Sequence, residues 1–298
     1  MFNIFKRSWL VTSSNHIIPL FFVVYMIIFS LILQKTLPSS NVIMTNITFC
    51  GLFLFSAAFF AGWFEMVKQA IINNDKKFEN EVERIKSSIA LRKNFLEGIT
   101  KYIFPVAGGI LIYYVVFFII IYLDIIVAEK FFGKIDFLAN DLKIITQSNE
   151  AMVAYFKALP NEKLLKLFSW EMLFLITSGI YSILTLFWIS ALYFNKKESK
   201  NPFMSYAYSF EALFKKPFGV ILFNVIIASM LFLYTQIAPL TVLNPILSFL
   251  YMVAGIYFFV FLTVLIFNYY ARNFGNIGDN RGDCLREDKT CNQDGECE

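Results

Sequence analysis

Six apolar stretches, each close to or above the length that crosses a lipid bilayer, constrain this chain more than any other feature. They occupy residues 17–33, 47–67, 103–128, 170–194, 217–238 and 241–268. A spanning helix needs about 20 mostly apolar residues, because its backbone hydrogen bonds must close internally across about 30 Å of hydrocarbon. Composition agrees: 58% of residues are hydrophobic and 16% charged, with 36 Phe and 15 Tyr. Soluble domains run near 45–50% and 25%. A chain of 298 residues cannot hide that much apolar surface inside itself, so lipid has to cover the rest. The expected fold is an all-α polytopic membrane bundle of about six transmembrane helices, residues 1–271, with amphipathic helices at the interface. Residues 272–298 form a polar tail, expected to be flexible.

The first run is longer than a signal-peptide core and ends without a small-residue cleavage pattern, which makes it an uncleaved anchor. Basic residues then set a direction. All arginines and most of the 26 Lys and Arg fall in the N-terminal segment, the second and fourth loops and the tail. The turn before the last run has none. Positive charge resists translocation, so both termini are expected in the cytoplasm of a multi-pass cell-membrane protein. The third loop carries six lysines but is long, where the rule counts for less, and five acids accompany them.

The second loop itself reads as a helix. Phe78, Val82, Ile85, Ile89, Leu96 and Ile99 recur at helical spacing with basic residues between them, and Asn74 or Asp75 is available to cap it. Such a helix either lies on the inner leaflet or extends from the bundle and packs on its own protein. Aromatic-rich ramps precede each odd-numbered run: Phe5-Lys-Arg-Ser-Trp, Phe95-Leu-Glu-Gly-Ile and Phe210-Glu-Ala-Leu-Phe. Three hairpins on one plan would give this pattern, as would chance similarity among Phe-rich segments. The six-run layout, with the Phe-Glu-Ala-Leu-Phe-Lys-Lys-Pro-Phe ramp at Phe210–Phe218, resembles bacterial six-helix membrane domains of the group found beside glycerophosphodiester phosphodiesterases. That resemblance implies a helical membrane domain and carries over no catalytic residue.

Ionisable residues inside a span point to function, because burying one at the bilayer centre costs about 2.5–3.5 kcal/mol on insertion scales. Three qualify: Glu65, Asp124 and Glu171. Each lies near a span end, where a carboxylate can reach water. The sharper reading has Asp124 and Glu171 converge in a cavity to bind a cation or polar substrate. Pro105, Gly108 and Gly109 in the third run fit either a packing kink or a broken helix lining a site. Ala58 and Gly62, at the i, i+4 spacing of close helix contacts, and Ser178 with Ser182 are expected packing seams. Asn224, Gln236, Asn244 and Asn268 are available to bond between helices.

In the tail, Cys284, Cys291 and Cys297 are either inert thiols or a three-thiolate metal site. The single histidine, His16, cannot assemble a multi-histidine metal site. No phosphate-binding Gly loop, His-Glu-x-x-His or Gly-x-Ser-x-Gly occurs. No cofactor and no nucleic acid is expected; the partners are the lipid bilayer and other membrane proteins. The leading functional expectation is a non-enzymatic membrane protein for solute passage or envelope organisation. A lipid-acting membrane enzyme and an accessory subunit of a larger complex are the alternatives.

Overall fold

Hydrocarbon leaves a peptide group no hydrogen-bond partner outside the chain, and this backbone answers with helix. The computed structural model describes residues 1–36, 42–74, 81–134, 148–194, 200–241 and 244–275, and among them no strand occurs. In chain order the helices are α1 (Phe2–Ser14), α2 (Ile17–Thr36), α3 (Val42–Asn74), α4 (Glu81–Phe132), α5 (Asn149–Ala158), α6 (Asn161–Thr185), α7 (Trp188–Phe194), α8 (Pro202–Lys215), α9 (Pro217–Thr241) and α10 (Pro245–Asn273). Six candidate spans meet the length and apolarity a membrane demands: α2, α3, α4, the α6–α7 run, α9 and α10. The chain is an integral membrane protein with an all-α, six-span fold. The tail cysteines lie outside the described residues.

Contacts divide the chain into two units, residues 112–183 and the remainder. In the larger unit, α10 packs against α1, α2, α3, α7 and α9. Its C-terminal half is buried all round, from Val260 to Ala271 with few gaps, as expected of a central helix. An aromatic layer fills the space beside it. Tyr25 stacks on Phe59 at 4.2 Å, Phe22 on Phe259 at 4.8 Å, and Phe223 on Tyr269 at 4.0 Å. Polar tips of aromatic residues then reach the backbone of neighbouring helices. Trp63 donates to the Ile18 carbonyl at 3.0 Å, Tyr193 to Ala61 at 2.8 Å and Tyr206 to Gly109 at 2.9 Å. Tyr234 and Tyr251 donate reciprocally to each other's carbonyls. Asn268 holds α1 through the Ser8 hydroxyl at 3.0 Å. Beside it the Arg7 guanidinium, largely buried and near Arg272, is pushed down to about 10, with burial the larger cause.

Several expectations change. Residues 81–132 form one helix through Pro105, so the second-loop helix extends directly from the third span. Asn74 ends α3, α4 is described from Glu81, and Asp75 and Phe78 lie outside the described residues. Gly109 does not break α4; it makes room for Trp188, whose ring a Cβ there would overlap. Asn244 caps its own helix, accepting from Ile246 and Leu247. On α3 the contact face is Ala57, Ala61 and Gly62, with Ala58 only half-buried. Ser182 is exposed, and the Ser178 hydroxyl turns to the Leu175 carbonyl.

The break comes where no proline or glycine marks it, at Leu186–Phe187 between α6 and α7. Ser209 of α8 repairs it. Its hydroxyl donates to the Leu184 carbonyl at 2.7 Å and accepts from the Phe187 N–H at 3.2 Å. Ser209→Ala leaves both groups unmatched and should destabilise by about 1–3 kcal/mol, read as a lower unfolding midpoint in detergent. A second comparison tests the close crossing. A Cβ at Gly62 would meet the Phe95 carbonyl at 2.5 Å, whereas one at Gly51 on the same helix meets nothing within 4 Å. Gly62→Ala should cost about 1–3 kcal/mol, and Gly51→Ala should be neutral or slightly stabilising in the same unfolding assay.

Candidate functional site

The smaller unit is a helical hairpin: residues 112–132 of α4, helix α5, and residues 161–183 of α6. Phe117, Ile120, Ile121 and Asp124 recur every three or four residues along one face of α4. Trp170, Phe174 and Thr177 do so on α6. Those faces line a groove of about 560 Å³ together with Leu167, Glu171, Leu175 and Ser178. Asp124 and Glu171 therefore border one groove. A second depression of about 600 Å³, lined by Phe156, Asn161, Leu164, Leu165 and Phe168, shares Glu171 with it.

Each polar group in the groove has a definite local setting. Asp124 is 6% exposed, and its Oδ2 accepts the Thr177 hydroxyl at 2.6 Å, a short charge-assisted geometry. Its Oδ1 has no hydrogen-bond or ion-pair partner among the described residues. Glu171, by contrast, is exposed. Trp170 is fixed by its indole N–H, which donates to the Gly133 carbonyl at 3.3 Å. Gly133 ends α4 in the left-handed region, φ 85°, a conformation a side chain would strain. Tyr181 pins the hairpin further along, donating to the Tyr113 carbonyl at 2.8 Å.

Glu65, in the larger unit, is equally buried but differently served. Gln69 donates to its Oε1 at 2.8 Å, and Lys68 approaches at 3.4 Å, both from its own helix. That carboxylate is held by partners from its own helix. Among the described residues no group of three or more His, Cys, Asp or Glu could hold a metal ion.

The chain matches no family model, no curated protein and no solved structure. The groove's chemistry must therefore speak for itself. One carboxylate oxygen stands open among aromatic walls, with a second carboxylate at the groove's border. The sequence singled out the two acids but not Thr177, Trp170, Phe174 or Phe117. The i, i+3/i+4, i+7 spacing of Phe117 to Asp124 and of Trp170 to Thr177 was the signal available for them.

Thr177→Val keeps the shape and deletes the donor to a buried carboxylate, so it should cost about 1.5–3 kcal/mol. Asp124→Asn retains an acceptor at the same place and should cost less. Thermal unfolding of the two variants in one detergent checks the order.

Proposed function

We propose that this protein is a non-enzymatic membrane protein that binds a small organic cation in the hairpin groove and passes it along the membrane path. One observation carries the reading: a buried carboxylate with an open oxygen shares a groove with Trp170, Phe174 and Phe117. A carboxylate in a low-dielectric setting gains most from a cation that comes to it, and aromatic faces attract the same ions through their quadrupoles. A groove of about 560 Å³ lies within the range of small-molecule sites. Thr177 holds the carboxylate's other oxygen, which fixes its orientation. With both termini cytoplasmic, as the distribution of Lys and Arg favours, the groove lies toward the outer leaflet.

A lipid-acting enzyme is the second reading, favoured by the Thr177 hydroxyl lying against Asp124 as a nucleophile lies against a base. Phospholipid turnover in vesicles containing the purified protein, lost in Thr177→Val, would select it.

The test of the first reading uses the full chain in nanodiscs titrated calorimetrically with tetraethylammonium and shorter alkylammonium ions. Saturable binding is expected, weakened about tenfold by Asp124→Asn, or roughly 1.4 kcal/mol. Glu171→Gln should weaken it less, and Glu65→Gln should leave it unchanged. Absence of binding across the series, or equal affinity in Asp124→Asn, would refute the proposal.

A further inference from the structure

Three helical segments precede the odd-numbered spans, and each exposes large apolar side chains on the face turned away from the protein. In α8 the buried face is Ser205, Tyr206, Ser209 and Ala212. Phe203, Phe210 and Phe214, seven and four residues apart, stand opposite; Phe203 is 68% exposed and Phe214 79%. Helix α1 buries Ser8, Val11 and Thr12 and exposes Phe2 and Trp9. The first part of α4 buries Leu91 and Gly98 and exposes Val82, Ile85, Ile89 and Leu96. A helix lying on a protein in water arranges these residues the other way round.

All three segments belong to the larger unit and to one side of the membrane. Spans that alternate in direction begin at the same face whenever they are odd-numbered. Contacts agree: Ser8 of α1 and Lys216 beside α8 both bond to the last turns of α10, through Asn268 and Asn273 at 3.0 Å each. Phe95 of α4 meets Phe21, near the start of α2, at 4.9 Å.

Basic residues border the apolar stripe. In α4, Lys86, Arg92 and Lys93 are exposed beside the apolar stripe; α1 exposes Lys6, and α8 ends at Lys215 and Lys216. Glu81, Glu83, Glu97 and Glu211 are fewer, and Glu211 is paired with Lys215 at 2.7 Å. A side on the protein, an outward apolar stripe and basic residues along its borders are the arrangement that a boundary between acyl chains and anionic headgroups demands.

We propose that α1, the first part of α4 and α8 form an interfacial collar that seats their outward apolar faces in a leaflet of anionic phospholipid and their basic residues on its headgroups. The occupant of these faces is the lipid leaflet, not a second copy of the chain and not another protein. Charge complementarity and the position of each segment at the entry of a span single it out.

The experiment uses the full chain with Cys50→Ala, Cys284→Ser, Cys291→Ser and Cys297→Ser, carrying one nitroxide label at Phe214→Cys, Val82→Cys or Glu83→Cys, the last about 100° around the helix from Val82. The protein is reconstituted in phosphatidylcholine vesicles, with and without about one quarter phosphatidylglycerol. Labels at 82 and 214 should collide with oxygen more than with a water-soluble nickel chelate, and the label at 83 the reverse. Nickel access at 82 and 214 equal to that at 83, or exclusion of both reagents by a protein covering, overturns the collar. In the second arm the unlabelled chain should unfold about 5 °C higher with phosphatidylglycerol than without. The combined Lys6→Gln, Lys86→Gln, Arg92→Gln and Lys93→Gln variant should match wild type in pure phosphatidylcholine and lose most of that increment. An increment absent from wild type, or retained in the variant, overturns the anionic half of the proposal.

Discussion

Helices already surrounded by hydrocarbon gain little from burying apolar surface against one another, so their association rests on close packing and on polar bonds made away from water. Here the recurring bond is an aromatic donor on a backbone carbonyl of the next helix. Trp63, Tyr193, Tyr206 and the Tyr234–Tyr251 pair all make it within the larger unit, and Tyr181 makes it in the hairpin. A helical carbonyl has a second lone pair, so it accepts without surrendering its bond to the i+4 N–H. The ring meanwhile packs among other rings, as Phe223 and Tyr269 do. A chain so rich in Phe and Tyr therefore obtains both parts of helix association from one residue class.

The same constraint explains the break at Leu186–Phe187. A spanning helix that loses a turn exposes a carbonyl and an N–H, and in lipid both must be served by protein. Ser209 serves both with one hydroxyl, which donates to one group and accepts from the other. Position 209 thus needs a side chain that is at once donor and acceptor and small enough to sit against α6–α7. This requirement is local to one crossing and leaves no periodic trace in the sequence of α6.

What the sequence disclosed and what it withheld follow from range. Span number and approximate position depend on composition within a window, and each of the six runs falls mainly on helix, the fourth interrupted at Leu186–Phe187 and the sixth entering its helix at Pro245. Helix ends were less legible. The chain stays helical past its apolar run wherever a cap is delayed, as in α3 to Asn74 and in α4 from Glu81. Pairing was illegible. Nothing near Asp124 announces Thr177, fifty-three positions away. Even Gly109, suggestive of a hinge, answers to the volume of Trp188.

The two units use their helices differently. In the larger one α10 is buried along half its length, and the most apolar window of α3 is 39% buried within the chain. For α4, which continues into the hairpin, that share is 6%. A pair of long helices held chiefly by Tyr181, Thr177 and Trp170 has few packed contacts to oppose a change in their separation. Binding elements tend to come from the less stable part of a fold, because a site that must open and refill cannot be locked by the core. The hairpin carries the buried acid with an open oxygen, while Glu65 in the densely packed unit is closed off by Gln69 and Lys68. Two carboxylates of equal burial thus divide by their surroundings: one completes a core, and the other stands where a ligand can complete it.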